Sequence, residues 1–149
     1  VDRFLTIINA DRMYLGQKDF QQCLVIKKLI EITGRQKPEL KFITTRREEN
    51  GLAMSSRNLR LNPTEKEKAL EIARTLNYIK QAWPAESVSG IKEKATAMLQ
   101  QKGFVIDYIE IADAENLQPL LQYDKDKKAI ALIAATLGNV RLIDNMLLN

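Results

Sequence analysis

Two short segments carry side chains suited to chemistry on a phosphate. The first is Gly16-Gln17-Lys18-Asp19-Phe20-Gln21-Gln22. Its glycine lets the backbone come close to a ligand, and the lysine two residues later is a mobile cation. With a strand ending at Gly16 and a helix starting after Asp19, free backbone N–H groups and the Lys18 ammonium share the strand end, where open α/β sheets bind ligands. Gln22, one turn into that helix, offers a donor and an acceptor to the same place. The same residues also suit a capped turn with a solvated lysine.

The second segment is Glu48-Glu49-Asn50-Gly51-Leu52-Ala53-Met54-Ser55-Ser56-Arg57-Asn58. Two adjacent hydroxyls and a guanidinium follow a glycine hinge. An arginine can grip two phosphate oxygens at once while the serines donate to others. On a closing loop, such groups stabilise charge that builds on a leaving pyrophosphate. A polar linker between domains has the same composition.

The elements that must position these groups are legible in the periodicity. Val1, Phe4, Leu5 and Ile8 have helical spacing and read as a helix tail ended by Asn9-Ala10-Asp11. Met13-Tyr14-Leu15 reads as a buried strand stopping at Gly16, with a loop over 16–19. Asp19 is expected to cap a helix carrying Phe20, Cys23, Leu24, Lys27, Leu29 and Ile30 and ending near Gly34. A strand over 40–44 follows. Residues 45–62 read as a long polar connection, of the kind that is functional or disordered.

Asn62-Pro63-Thr64-Glu65 then marks a helix start, with Asn62 as cap and Glu65 completing a capping box. Ala69, Ile72, Ala73, Leu76, Ile79 and Trp83 form its apolar stripe, closed by Pro84. Ser87 caps a second helix with Val88, Ile91, Ala95, Met98 and Leu99 inward and Gly103 at its end. Residues 104–111, 129–137 and 140–147 are strand-like, and Gly138-Asn139 joins the last two as a tight hairpin. Residues 124–128 read as a charged, solvated turn. Trp83, Met98 and Tyr108 are expected in the core. The predicted fold class is an α/β fragment of a sheet over 1–45, a loop over 46–62, and an α+β domain over 63–149. The last is two helices on an antiparallel sheet of about three strands.

Composition narrows the chemistry. The 149 residues contain no histidine and one cysteine, which rules out Ser-His-Asp and Cys-His catalysis, histidine zinc sites and an internal disulfide within this chain. Cys23 is expected as a small buried hydrophobe, and a lone cysteine suits a reducing, cytoplasmic setting. The net charge of +4 fits a polyanionic small ligand as well as RNA. No apolar stretch reaches the roughly 20 residues of a membrane span, and the start at Val1 has no signal-peptide layout. Without an initiator methionine the chain is expected to be a fragment or a processed product.

Tyr14-Leu15-Gly16-Gln17-Lys18-Asp19-Phe20-Gln21-Gln22 resembles the strand and Gly-[Gln/Glu]-Lys-Asp-x-Gln-Gln pattern of the pantothenate synthetase (pantoate–β-alanine ligase) family. Gly51-Leu52-Ala53-Met54-Ser55-Ser56-Arg57-Asn58 is similar to that family's form of the Lys-Met-Ser-Lys-Ser loop of class I aminoacyl-tRNA synthetases. Leu137-Gly138-Asn139-Val140-Arg141-Leu142-Ile143-Asp144-Asn145 resembles its terminal hairpin. The three lie in the family's order and cover the chain, which resembles the C-terminal half of such an enzyme.

The resemblance implies a Rossmann-like nucleotidyltransferase sheet and the condensation of pantoate with β-alanine through pantoyl adenylate, with ATP as substrate and Mg²⁺ on its phosphates. It implies that Gly16, Gln17, Lys18 and Asp19 lie along ATP and that Gln22 binds pantoate. Met54, Ser55, Ser56 and Arg57 would form the ATP-closing loop, and Lys18, Ser55, Ser56 and Arg57 would stabilise phosphate charge. Arg46 stands where the family usually has valine and contacts ATP through backbone atoms. Leu59-Arg60-Leu61 departs from the usual Arg-Tyr-Leu. The family's His-x-Gly-His signature and a pantoate-binding glutamine nearer the N-terminus have no counterpart here, so the chain is expected to hold about half an active site and to be inactive alone. The implied setting is a cytoplasmic homodimer acting on small molecules, with no nucleic acid and no membrane. Two other readings are open: another adenylate-forming or nucleotidyl-transferring enzyme of the same superfamily, and a non-catalytic lid or interaction module.

Overall fold

Alternation of half-buried and exposed residues along Arg12–Gly16 (β1) matches a strand with one covered face. It pairs in parallel with Glu39–Ile43 (β2), in a register that sets Gly16 beside Ile43. Parallel strands need a crossover, and Phe20–Ile32 (α2) supplies it, burying Phe20, Cys23 and Ile26. A one-turn-and-a-half helix, Asp2–Ile7 (α1), precedes β1. Arg35 ties the end of the crossover to α1, donating to Asp2 Oδ1 at 2.8 Å and Thr6 Oγ1 at 2.9 Å. These elements form the first of two units, Val1–Thr45; the second is Arg46–Asn149. The computed structural model describes every residue from 1 to 149.

The start of α2 differs from expectation. Residues 17–19 are a 3₁₀ turn, Gln17–Asp19, that winds directly into the helix. Asp19 holds the cap position, but with ψ at 54° its side chain makes no capping hydrogen bond. An N-cap carboxylate reaches back to the helix from extended backbone, and the tight turn removes that geometry.

In the second unit, Pro63–Ala82 (α3) starts with both arms of a capping box. Asn62 Oδ1 accepts from Glu65 N, and Glu65 Oε2 accepts from Asn62 N, each at 2.9 Å. Val88–Gln101 (α4) starts at Ser87, whose hydroxyl accepts from Gly90 N at 3.2 Å. Both helices lie on a sheet of Val105–Asp113 (β3), Ala129–Leu137 (β4) and Val140–Leu147 (β5), antiparallel in the order β3-β4-β5. The α3 stripe expected from spacing is buried throughout, and it meets Ile91, Ala95 and Leu99 of α4 and Ile111, Ala131 and Ile133 of the sheet. Removing such apolar surface from water contributes about 1.5–3 kcal/mol per large side chain.

Three expectations fail in this unit. Tyr108 is 43% exposed, because a bulge between Ile106 and Tyr108 shifts the register and opposes it to Ala134. Met98 is only half-buried at the margin of α4. Residues 46–62 are not a bare polar connection. Arg47 and Ala53 form a bridge, Ser56–Arg60 is a 3₁₀ turn, and Leu52, Ala53, Asn58 and Leu61 are buried. The polar letters hid four inward side chains with no regular period.

Candidate functional site

The first group of candidate residues lies at one end of the βαβ unit. Gly16 closes β1 at its carboxyl end, beside the carboxyl end of β2, and Gln17, Lys18 and Asp19 follow in the 3₁₀ turn. Gly16 has an ordinary extended backbone, φ −72° and ψ 124°, and a Cβ placed on it would meet nothing within 4 Å. Neither torsion nor packing calls for glycine there. Gln17 and Lys18 are half-buried, while Asp19 and Gln22 are exposed.

Beneath this turn lies Cys23, whose thiol donates to Gly16 O at 3.4 Å. Burial pushes its pKa up, and the Asp19 carboxylate adds to the shift. Buried and bonded to Gly16 O, the thiol tethers β1 to α2.

The second group is built from a short hairpin in the other unit. Glu48 N donates to Leu52 O at 2.8 Å, Gly51 N to Glu48 O at 2.8 Å, and Met54 N to Arg46 O at 2.9 Å. The turn is closed by Asn50 Oδ1, which accepts from Leu52 N at 3.1 Å, and by Gly51 at φ +93°. The hairpin delivers the chain into Met54-Ser55-Ser56-Arg57. Ser55 caps the 3₁₀ turn, accepting from Arg57 N at 3.2 Å. Arg57 Nη1 donates to Arg141 O on the edge strand β5 at 3.2 Å.

Pegs hold this stretch on both sides. The buried Asn58 side chain donates to Ala53 O at 3.1 Å and to Glu48 Oε1 at 3.3 Å. Arg47 holds Asp144 of β5 with two prongs, Nη1 to Oδ2 at 2.7 Å and Nη2 to Oδ1 at 3.2 Å. Arg47 Nη1 also donates to Gly51 O at 3.2 Å. A hollow of about 490 Å³ opens beside the turn, lined by Met54, Ser55 and Ser56 together with Glu48, Asn58 and Lys66.

The structure thus gathers Gly16, Gln17, Lys18, Asp19 and Gln22 in one unit, and Arg46, Met54, Ser55, Ser56 and Arg57 in the other. The Arg46 carbonyl is engaged by Met54 N, so its backbone role here includes closing the hairpin. Lys66 escaped the sequence reading. Its signal was its place in the first turns of α3, ten residues after Ser56. Asn58 also escaped, because its burial depends on the hairpin.

The comparisons with known proteins bear on what these groups serve. The family model described as pantoate-beta-alanine ligase matches residues 1–147. The chain belongs to the pantoate-beta-alanine ligase family. It is 41% identical to the pantothenate synthetase of Shewanella denitrificans, over 98% of this chain and 51% of that protein. It is 35% identical to that of Phocaeicola vulgatus, over 98% and 52%. Among solved structures, pantothenate synthetase from Thermus thermophilus superposes with a TM-score of 0.88 at 32% identity, over 97% of this chain and 52% of that one. The pantoate-beta-alanine ligase from Francisella tularensis, complexed with beta-gamma ATP and beta-alanine, gives a TM-score of 0.67 at 28% identity, over 97% and 46%. The chain spans about half the length of the curated relatives it matches. No helix in it is long and apolar enough to cross a membrane. No group of three or more Asp, Glu, Cys or His side chains gathers to hold a metal ion.

Proposed function

We propose that this chain supplies the C-terminal half of an ATP-dependent pantoate–β-alanine ligase. A carboxylate oxygen of pantoate attacks the α-phosphorus of ATP, and pyrophosphate leaves. The amine of β-alanine then attacks the acyl carbon of pantoyl adenylate, AMP leaves with the electron pair of the broken acyl–oxygen bond, and the amine proton passes to solvent.

Lys18, Ser55, Ser56 and Arg57 hold phosphate oxygens and offset the charge that grows as pyrophosphate departs, which is electrostatics and positioning. Gly16, Gln17 and Asp19 line the nucleotide, the open space above Gly16 letting it lie against backbone. Met54 and the Arg46 backbone border it, and Gln22 binds pantoate. Mg²⁺ carried on the phosphate oxygens of ATP would offset part of the same charge. The setting is the cytoplasm.

The observation that carries this reading is the turn Met54-Ser55-Ser56-Arg57, pegged on both sides and bordered by a hollow that also holds the Lys66 side chain. The hollow carries two hydroxyls and the Lys66 ammonium beside the Glu48 carboxylate, and Arg57 follows the serines in the same turn, a set of donors that suits a polyphosphate. Family membership and the ATP and β-alanine ligands of the Francisella relative support the same substrates. The test is ATP–pyrophosphate exchange in a ligase of full family length carrying this segment. Exchange is expected with pantoate and AMP release on adding β-alanine. Absence of exchange, or equal exchange with unrelated carboxylic acids, would overturn the reading.

A further inference from the structure

We propose that Arg47 and Asp144 are positioning residues for the Met54-Ser55-Ser56-Arg57 turn, locking it to β5 in the geometry that receives phosphate. The proposal rests on the reading of that turn as a nucleotide-binding element.

Asp144 is the most buried carboxylate of any ion pair in the chain, its side chain 3% exposed against 27% for Arg47. Both its oxygens are engaged, one by each prong of Arg47, and Asn145 N also donates to Oδ1 at 2.8 Å. The two residues are 97 apart in sequence, so the pair joins the hairpin to a strand formed at the far end of the chain. The same guanidinium grips Gly51 O, so one planar group fixes both the tip of the hairpin and its attachment. A lysine could carry the charge but not the fork.

Six residues past Arg47 the paired backbone reaches Ala53, whose carbonyl is held by Asn58, and the intervening turn carries both serines. A second link, Arg57 to Arg141 O, reaches the same strand three residues from Asp144. The serines therefore hang between two attachments to β5. Release of the Arg47 side lets the hairpin tilt, and small misplacements of positioned groups lower rate by large factors.

The experiment compares three changes in a ligase of full family length carrying this segment. Asp144→Asn is expected to lower kcat for ATP–pyrophosphate exchange by about tenfold or more while KM for pantoate stays within about twofold. Arg47→Lys is expected to do the same to a smaller degree. Lys92→Ala breaks the Lys92–Glu110 pair elsewhere in the unit, in which one ammonium donates to both carboxylate oxygens, and is expected to leave kcat unchanged. In the 149-residue chain, hydrogen exchange at the Glu48 and Met54 amides is expected to speed up about tenfold in Asp144→Asn, with α3 and α4 still protected. Arg47→Lys serves where Asp144→Asn does not fold.

Ser55→Ala with Ser56→Ala is the reference. Where the serine changes impair exchange and the Arg47 and Asp144 changes do not, the positioning role is overturned and the ligase reading stands. Where the serine changes have no effect, the nucleotide-binding reading fails and the positioning role fails with it. An equal loss of protection in the hairpin and in both helices would mark a general stability role and also overturn the proposal.

Discussion

The Glu65 carboxylate sits over the hairpin turn at Gly138: its Oε1 would lie 2.5 Å from a Cβ placed on that glycine. The capping box of α3 and the β4–β5 turn therefore share one space, although they lie more than seventy residues apart in the chain. Gly138 also has φ +57°, a conformation that favours glycine.

Gly138→Ala is expected to destabilise the chain by about 2 kcal/mol, roughly half from the left-handed backbone and half from displacing the capping carboxylate. In a Glu65→Ala background the same change is expected to cost about 1 kcal/mol less, because the obstructing oxygen is gone. Urea unfolding of the four chains measures this. An identical cost in both backgrounds would remove Glu65 from the explanation.

Cys23 makes the first unit sensitive to alkali. A thiol in the unfolded chain ionises near pH 8.5. Burial, helped by the Asp19 charge, raises the native value. The stability this contributes is fully present below the unfolded pKa and is lost as pH rises through the native one. Between pH 8 and 10 the native chain is expected to lose more stability than Cys23→Ala, measured as the difference in urea midpoints. Alkylation of Cys23 is expected to be slow in the folded chain and fast in urea. Rapid alkylation of the native thiol at neutral pH would contradict its role as a buried tether.

Lys18→Ala, in a ligase of full family length, is expected to lower pyrophosphate exchange by about 10² or more, the scale for losing one preorganised charge contact. Near-normal pyrophosphate release by that variant would refute the assigned role. Lys66→Ala is expected to have a smaller effect, about tenfold, since an exposed lysine at the hollow is partly replaced by solvent.

The purified 149-residue chain is expected to form no pantothenate from pantoate, β-alanine and ATP, because about half the length of its relatives lies outside it. Chromatography for pantothenate and AMP decides this. Turnover by the chain alone would show that the groups it carries suffice.

Local chemistry made most elements legible before any coordinates. Asn62, Pro63 and Glu65 mark the α3 start because capping involves neighbours within one turn. The α3 stripe and the Gly138-Asn139 turn are legible for the same reason, since periodicity and turn chemistry act over a few residues. The residue types at 16–22 and 51–58 that suit a phosphate could be picked out by composition and order alone.

Tertiary structure decided what depended on residues distant in sequence. Tyr108 faces solvent because of a bulge against β4, and no letter near it encodes that register. Residues 46–62 pack instead of dangling because Arg47 finds Asp144 and Asn58 finds Ala53 and Glu48. Lys66, in the first turns of α3, lines the same hollow as the serines. A sequence specifies which groups are present and their local conformational preferences. Which of them meet is settled by side-chain pairing and burial across the folded chain, where a charge removed from water must find its partner.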